Sequence, residues 1–81
     1  MGMKGEKMAK NNIASERKRL GMSQEDLAIA IGTSRDSVKK WEAGAPMKLS
    51  NLIDMAELFD CSLDYLMGRS DDRIVHAPTL A

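Results

Sequence analysis

Residues Met22 to Gly44 read MSQEDLAIAIGTSRDSVKKWEAG, and their spacing predicts two short helices meeting at a tight corner. Ser23 is placed to cap the first helix through its side-chain oxygen, and Leu27, Ala28 and Ile31 then share one inward face. Gly32 ends that helix, because only a residue tolerant of positive φ closes a helix with little strain at such a corner. Thr33 or Ser34 caps the second helix, whose inward positions are Val38 and Trp41. Ala28 matters because a larger side chain would push two closely crossing helices apart. Outward, the second helix carries Arg35, Asp36, Ser37, Lys39 and Lys40. These residue types meet base edges and phosphates in a major groove.

The rest of the composition fits one small helical domain. At 81 residues the chain holds a single core, and a core of that size is marginally stable unless it is mostly helix or gains a partner. Trp41, Phe59 and Tyr65 are the only aromatics, while seven methionines and many Leu, Ile and Ala supply the apolar volume, which favours helices over a sheet. Cys61 is the single cysteine, so neither an internal disulfide nor a cysteine-based zinc site is expected, and a reducing compartment suits it. No stretch has the apolar length of a membrane span, and the start MGMKGEKMAK lacks the apolar run of a secretory signal, so the expected location is the cytoplasm. The formal net charge is zero, but it is divided. Residues 1–48 hold ten bases against six acids, a net +4, and residues 49–81 hold two bases against six acids, a net −4. One basic end steers toward phosphate even when the whole molecule is neutral.

Along the chain the pattern predicts a lysine-containing arm over 1–9, a domain over 10–68 and a free tail over 69–81. The first helix, about Asn12 to Leu20, places Ile13, Arg17 and Leu20 on one face. After Gly44 the segment Ala45–Lys48 is a loop, since Pro46 disfavours helix before it. A fourth helix, about Leu49 to Phe59, is expected to bury Leu52, Ile53, Ala56 and Phe59. A fifth opens at the capping Ser62 and stops at Gly68, with Leu63, Leu66 and Met67 closing the core. In the tail, Ile74-Val75 either stays free or adds a strand across a dimer, and His76 has no second metal ligand near it in sequence.

The segment from about Ile13 to Gly68 resembles the Cro/C1-type, or XRE, helix-turn-helix family of phage and bacterial repressors. The matching residues are Arg17, Leu20-Gly21-Met22, Ser23-Gln24-Glu25-Asp26-Leu27-Ala28, Gly32-Thr33-Ser34, Val38 to Glu42 with Gly44, and Ser62-Leu63-Asp64-Tyr65-Leu66-Met67-Gly68. The resemblance implies an all-α, five-helix lambda-repressor-like domain with the helix-turn-helix formed by helices 2 and 3. It implies that Arg17 pairs with Glu42 and ties helix 1 to helix 3, that Arg17 also touches phosphate, and that Gln24 contacts phosphate at the start of helix 2. It further implies that Arg35 reads bases, its fork suiting the O6 and N7 of guanine; a phosphate contact is the alternative. The chain departs from the family at Ala43, often an asparagine that contacts phosphate, and Lys48 is the expected replacement. It departs again after Pro46, where a capping serine is common and Ser50 or a frayed turn must serve. Ile29 stands where solvent-facing residues are usual, either by chance or as part of a protein contact with Met47 or Met67 nearby.

The remaining roles follow from helical geometry. Asp36 either accepts from cytosine N4 or orients Arg35, and the second role is favoured because an unpaired carboxylate is repelled by DNA. Ser37 and Lys40 continue the same face and are candidates for base contacts, while Lys39 serves the backbone. Ser23 and Ser34 are caps that also stand near phosphate. There is no Ser, His and acid set, no glycine-rich phosphate loop and no carboxylate cluster at metal spacing, so no enzyme and no cofactor are expected. The expected partner is double-stranded DNA, read by helix 3 (about residues 34–42) in an inverted-repeat operator by a homodimer with half-sites about one helical turn, ~34 Å, apart. Helices 2 and 4 are expected to anchor to phosphates on either side. The rival expectation is a protein-interaction module on the same fold, such as an antitoxin or a repressor antagonist, binding a protein partner.

Overall fold

A computed structural model of the chain describes residues 11–73. Five helices follow one another: α1 (Ile13–Arg19), α2 (Gln24–Ile31), α3 (Arg35–Glu42), α4 (Leu49–Phe59) and α5 (Leu63–Leu66), and no strand occurs among the described residues. None of these helices is long and apolar enough to cross a membrane. The arm over 1–9, Ile74-Val75 and His76 lie outside the described residues.

The boundaries are set by caps of recognisable chemistry. Ser23 Oγ accepts from the Asp26 amide at 3.0 Å while the Asp26 carboxylate accepts from the Ser23 amide at 2.9 Å, a reciprocal capping box at the start of α2. That bonding holds the Asp26 carboxyl below its ordinary pKa. Gly32 closes α2 at φ 78°, in the left-handed region, and the Thr33 amide reaches back to the Ala28 carbonyl. Ser34 and Ser62 cap α3 and α5 by accepting from the Ser37 and Tyr65 amides. The start of α4 has no side-chain cap, and Ser50 does not supply one. Asp60 ends α4 at φ 56°, a left-handed position that a short polar side chain tolerates better than most.

One core joins all five helices: Ile13 of α1, Leu27 and Ala28 of α2, Val38 and Trp41 of α3, Leu52, Met55, Ala56 and Phe59 of α4, Cys61, and Leu66 of α5. Four residues expected in it stand outside. Leu20 is 42% exposed, Ile53 38%, Leu63 36% and Met67 43%. On α4 the buried set 52, 55, 56 and 59 is a single stripe, and Ile53 lies one residue round the helix from it, so the fully buried position belongs to Met55. Leu20 and Met67 fall at the C-caps of α1 and α5, where the stripe has already run out.

The tail expected from Arg69 onward is not free at its start. The Arg69 amide donates to the Asp64 carbonyl, the Ser62 amide donates to the Arg73 carbonyl, and Ser62 Oγ donates to the Asp72 carbonyl. The anchor is Glu16, buried at 2% exposure on α1. Its carboxylate accepts from Arg73 Nη2 at 2.7 Å and Nε at 3.2 Å, from Arg19 Nε at 2.9 Å, and from the Tyr65 hydroxyl at 3.0 Å. Arg19 and Arg73 each also donate to the Phe59 carbonyl at the end of α4. Residues 69–73 therefore form a strap that completes the fold beneath α4 and α5.

Two outcomes are expected from this architecture. Gly32→Ala adds a Cβ that meets nothing within 4 Å, so its cost is conformational only, about 1–2 kcal/mol in chemical denaturation. Burial alone would raise the Glu16 pKa, but the bonds from Arg73, Arg19 and Tyr65 outweigh it and hold the carboxyl below its ordinary 4.5. Its stabilisation is therefore full above that value and is lost as pH falls through the lower folded-state pKa. Glu16→Gln should be less stable than the parent near neutral pH by roughly 1–3 kcal/mol. The two thermal melting curves should converge as the pH falls through that lowered folded-state pKa.

Candidate nucleic-acid interface

Helix α3 has one inward and one outward face. Val38 and Trp41 point into the core, Ser37 is half-buried, and Arg35, Asp36, Lys39 and Lys40 are exposed together on the outside. Ser34 accepts from the Ser37 amide and turns its own hydroxyl hydrogen to Ser37 Oγ at 3.0 Å, which settles the first turn. Asp36 does not orient Arg35. Its carboxylate lies 3.2 Å from Lys40 Nζ, both side chains being about 70% exposed. An acid four residues before a base on a helix faces it, whereas adjacent residues such as 35 and 36 diverge.

The far end of α3 is held by charge. Arg17 Nε donates to Glu42 Oε2 at 2.7 Å, Nη2 to Oε1 at 3.3 Å, and Nη1 to the Met22 carbonyl at 2.8 Å. The two side chains are only 11% and 10% exposed. Gln24, at the start of α2, donates its amide nitrogen to Glu42 Oε1 at 3.1 Å, which leaves its second amide hydrogen for another acceptor. Asn11 Nδ2 donates to the Trp41 carbonyl at 2.8 Å, a tether to the end of α3 that the sequence reading did not single out. Its neighbour Asn12 joins the start of α1 to α5, its backbone amide donating to the Leu66 carbonyl and its side-chain Nδ2 to the Tyr65 carbonyl. The only signal was a pair of asparagines before a helix, which reads equally well as an ordinary cap.

The structure thus gathers Arg35, Asp36, Lys39 and Lys40 on one open face and Arg17, Gln24 and Glu42 in a brace behind its end. Ser23 caps α2 and keeps its hydroxyl hydrogen uncommitted to that cap, since it acts there as an acceptor. Lys48 stands exposed at the start of α4, apart from α3 in the chain. Ile29 is 70% exposed on α2, whereas Met47 and Met67 line a groove with Leu52 and Leu66 in which Ile29 has no part.

The sequence pattern of the helix-turn-helix family matches residues 13–66, two-thirds of the chain. The chain belongs to the Cro/C1-type helix-turn-helix family. Members of this helix-turn-helix family are DNA-binding transcriptional regulators and not enzymes. The chain is similar to the cryptic phage CTXphi transcriptional repressor RstR of Vibrio cholerae serotype O1, with 36% identity over 61 residues that make up 74% of this chain and 54% of the relative. It spans about half the length of that curated relative. No solved structure matches it.

The brace has a direct thermodynamic consequence. Glu42→Ala removes the acceptor of three hydrogen bonds from Arg17 and Gln24 and leaves the Arg17 guanidinium largely buried without its counter-charge, so urea denaturation should show a loss of roughly 3–5 kcal/mol. Glu25→Ala, an exposed change on α2, should stay within about 0.5 kcal/mol of the parent.

Proposed function

We propose that this chain binds duplex DNA sequence-specifically as a repressor-type transcriptional regulator, laying α3 in the major groove and acting as a homodimer on an inverted repeat. The observation that carries this reading is the pairing of an open, mainly basic outer face on α3 with a nearly buried ion pair behind the helix's last turn. A helix that reads bases must be held rigidly from the rear while its front stays free. Arg35 takes the base-reading role, with Ser37 and Lys40 beside it, and Asp36 accepts from a base donor once Lys40 leaves it. Lys39, Gln24, Ser23, Ser34 and Lys48 take phosphates, and Arg17 adds its remaining donor capacity at the same edge. The half of the chain that carries α1 to α3 is the basic half, which favours phosphate in spite of the neutral total.

Selection from a random duplex pool, followed by salt titration on the recovered site, tests the reading. An enriched inverted repeat is expected, with half-site centres about one helical turn apart. Arg35→Ala should weaken that site by roughly 1–3 kcal/mol and relax the preference at one base pair per half-site. Lys39→Ala should weaken all duplexes alike and reduce the slope of log affinity against log salt by about 0.9 for each chain bound. Folded protein that enriches no sequence at low salt would overturn the reading and leave a protein partner as the function of this fold.

A further inference from the structure

The outer face of α3 carries two exposed rows. Arg35 and Lys39, four residues apart, make a row of bases, and Asp36 and Lys40 make a second row of opposite charges. In the second row the Asp36 carboxylate lies 3.2 Å from Lys40 Nζ. Ser34 caps the first turn and Arg17 holds Glu42 at the last, so the row has a fixed direction before any ligand arrives. The DNA backbone offers a side chain only acceptors, which suits a row of bases and not a carboxylate. The major groove adds donors: the N4 amino group of cytosine and the N6 amino group of adenine.

Every base pair sets one such amino group beside one keto oxygen, cytosine N4 beside guanine O6 or adenine N6 beside thymine O4. The two are joined by an N–H···O bond of the pair itself, so their heavy atoms lie about 2.9 Å apart. The carboxylate and ammonium of the second row stand at nearly that separation. We propose that Asp36 and Lys40 act as one unit that reads a single base pair in each half-site, Lys40 donating to the keto oxygen and Asp36 accepting from the amino group. This rests on the reading of α3 as the helix that enters the major groove, and it names what that helix selects there. On docking, each side chain trades its partner on the helix for one on the DNA with little change of position. The unit has a direction, because the acid stands toward the start of α3 and the base toward its end. It fits a pair whose keto base lies on the Lys40 side. Guanine is the better keto base: its N7, beside O6, is a second acceptor for an ammonium with three hydrogens. Thymine places a methyl group there instead, and its partner adenine sets an N7 acceptor against the carboxylate. The order of preference is therefore G·C, then T·A, then the reversals of both.

The test starts from the duplex recovered by selection and varies one base pair at a time, in both half-sites together. Binding is measured for the full chain as the parent, Asp36→Ala, Lys40→Ala and an exchange variant carrying Asp36→Lys with Lys40→Asp, each first shown to be helical by circular dichroism. Both side chains are mostly exposed, so none of these changes opens the core. At one base pair of each half-site the parent should bind G·C at least about tenfold more tightly than C·G. Both alanine variants should lose that preference at the same base pair, and the exchange variant should prefer the reversal. Alanine variants that relax different base pairs overturn the unit, and so do variants that weaken all duplexes alike, as loss of a helix-stabilising pair or of a phosphate contact would. An exchange variant with the parent's preference overturns it as well. In each of these cases the parent still selects a sequence, and the reading of α3 stands. A folded parent that enriches no sequence removes that reading and the unit together.

Discussion

The Arg17–Glu42 pair is the contact that fixes the direction of α3 against both α1 and α2. An eight-residue helix is too short to persist by itself in water, so α3 takes its stability and its angle from what it packs against. Val38 and Trp41 seat it on the core, but two apolar anchors still allow the helix to roll. The guanidinium of α1 grips both carboxylate oxygens of Glu42 while a third donor holds the Met22 carbonyl, and Gln24 approaches the same carboxylate from α2. Three helices thus meet at one acid. Such a pair contributes less to net stability than its geometry suggests, because desolvation offsets much of the attraction. Its value lies in allowing one arrangement and making the others costly.

The next residue back on the same helix does comparable work in another direction. Glu16 turns away from α3 toward α5 and the strap, and gathers Arg19, Tyr65 and Arg73 around a carboxylate that is almost wholly inside. Two consecutive charged residues of a seven-residue helix therefore fasten opposite sides of the domain. With only eleven buried apolar residues among the described residues to share between five helices, polar fastening supplies orientation that the small core lacks.

Much of this was legible in the sequence wherever the signal was local. The Ser23 cap of α2, the left-handed Gly32, the caps of α3 and α5, and the inward pair Val38 and Trp41 are all fixed within a few residues, and local pattern finds them. The Arg17–Glu42 pairing came from resemblance to the family and is present at bonding distance. What escaped was set by tertiary context. Choosing Met55 over Ile53 required the phase of the α4 stripe, which depends on where α5 lies. Glu16 reads as a surface residue until the partners that bury it are known, and Arg73 is 57 residues away. The bond between Asp36 and Lys40 was open to the i, i+4 rule, but the neighbouring arginine drew the assignment instead.

The contact between Asp36 and Lys40 has a further consequence if α3 enters a groove. A pair this exposed is worth less than about 1 kcal/mol, so any phosphate or guanine edge draws the lysine away easily. The carboxylate left behind is then surrounded by acceptors, and a cytosine amino group is one of the few donors it can find there. Sequences that offer such a group would be tolerated, and sequences that present only acceptors would be penalised. An acid on the outer face then works by exclusion, rejecting wrong sequences more strongly than it favours the right one.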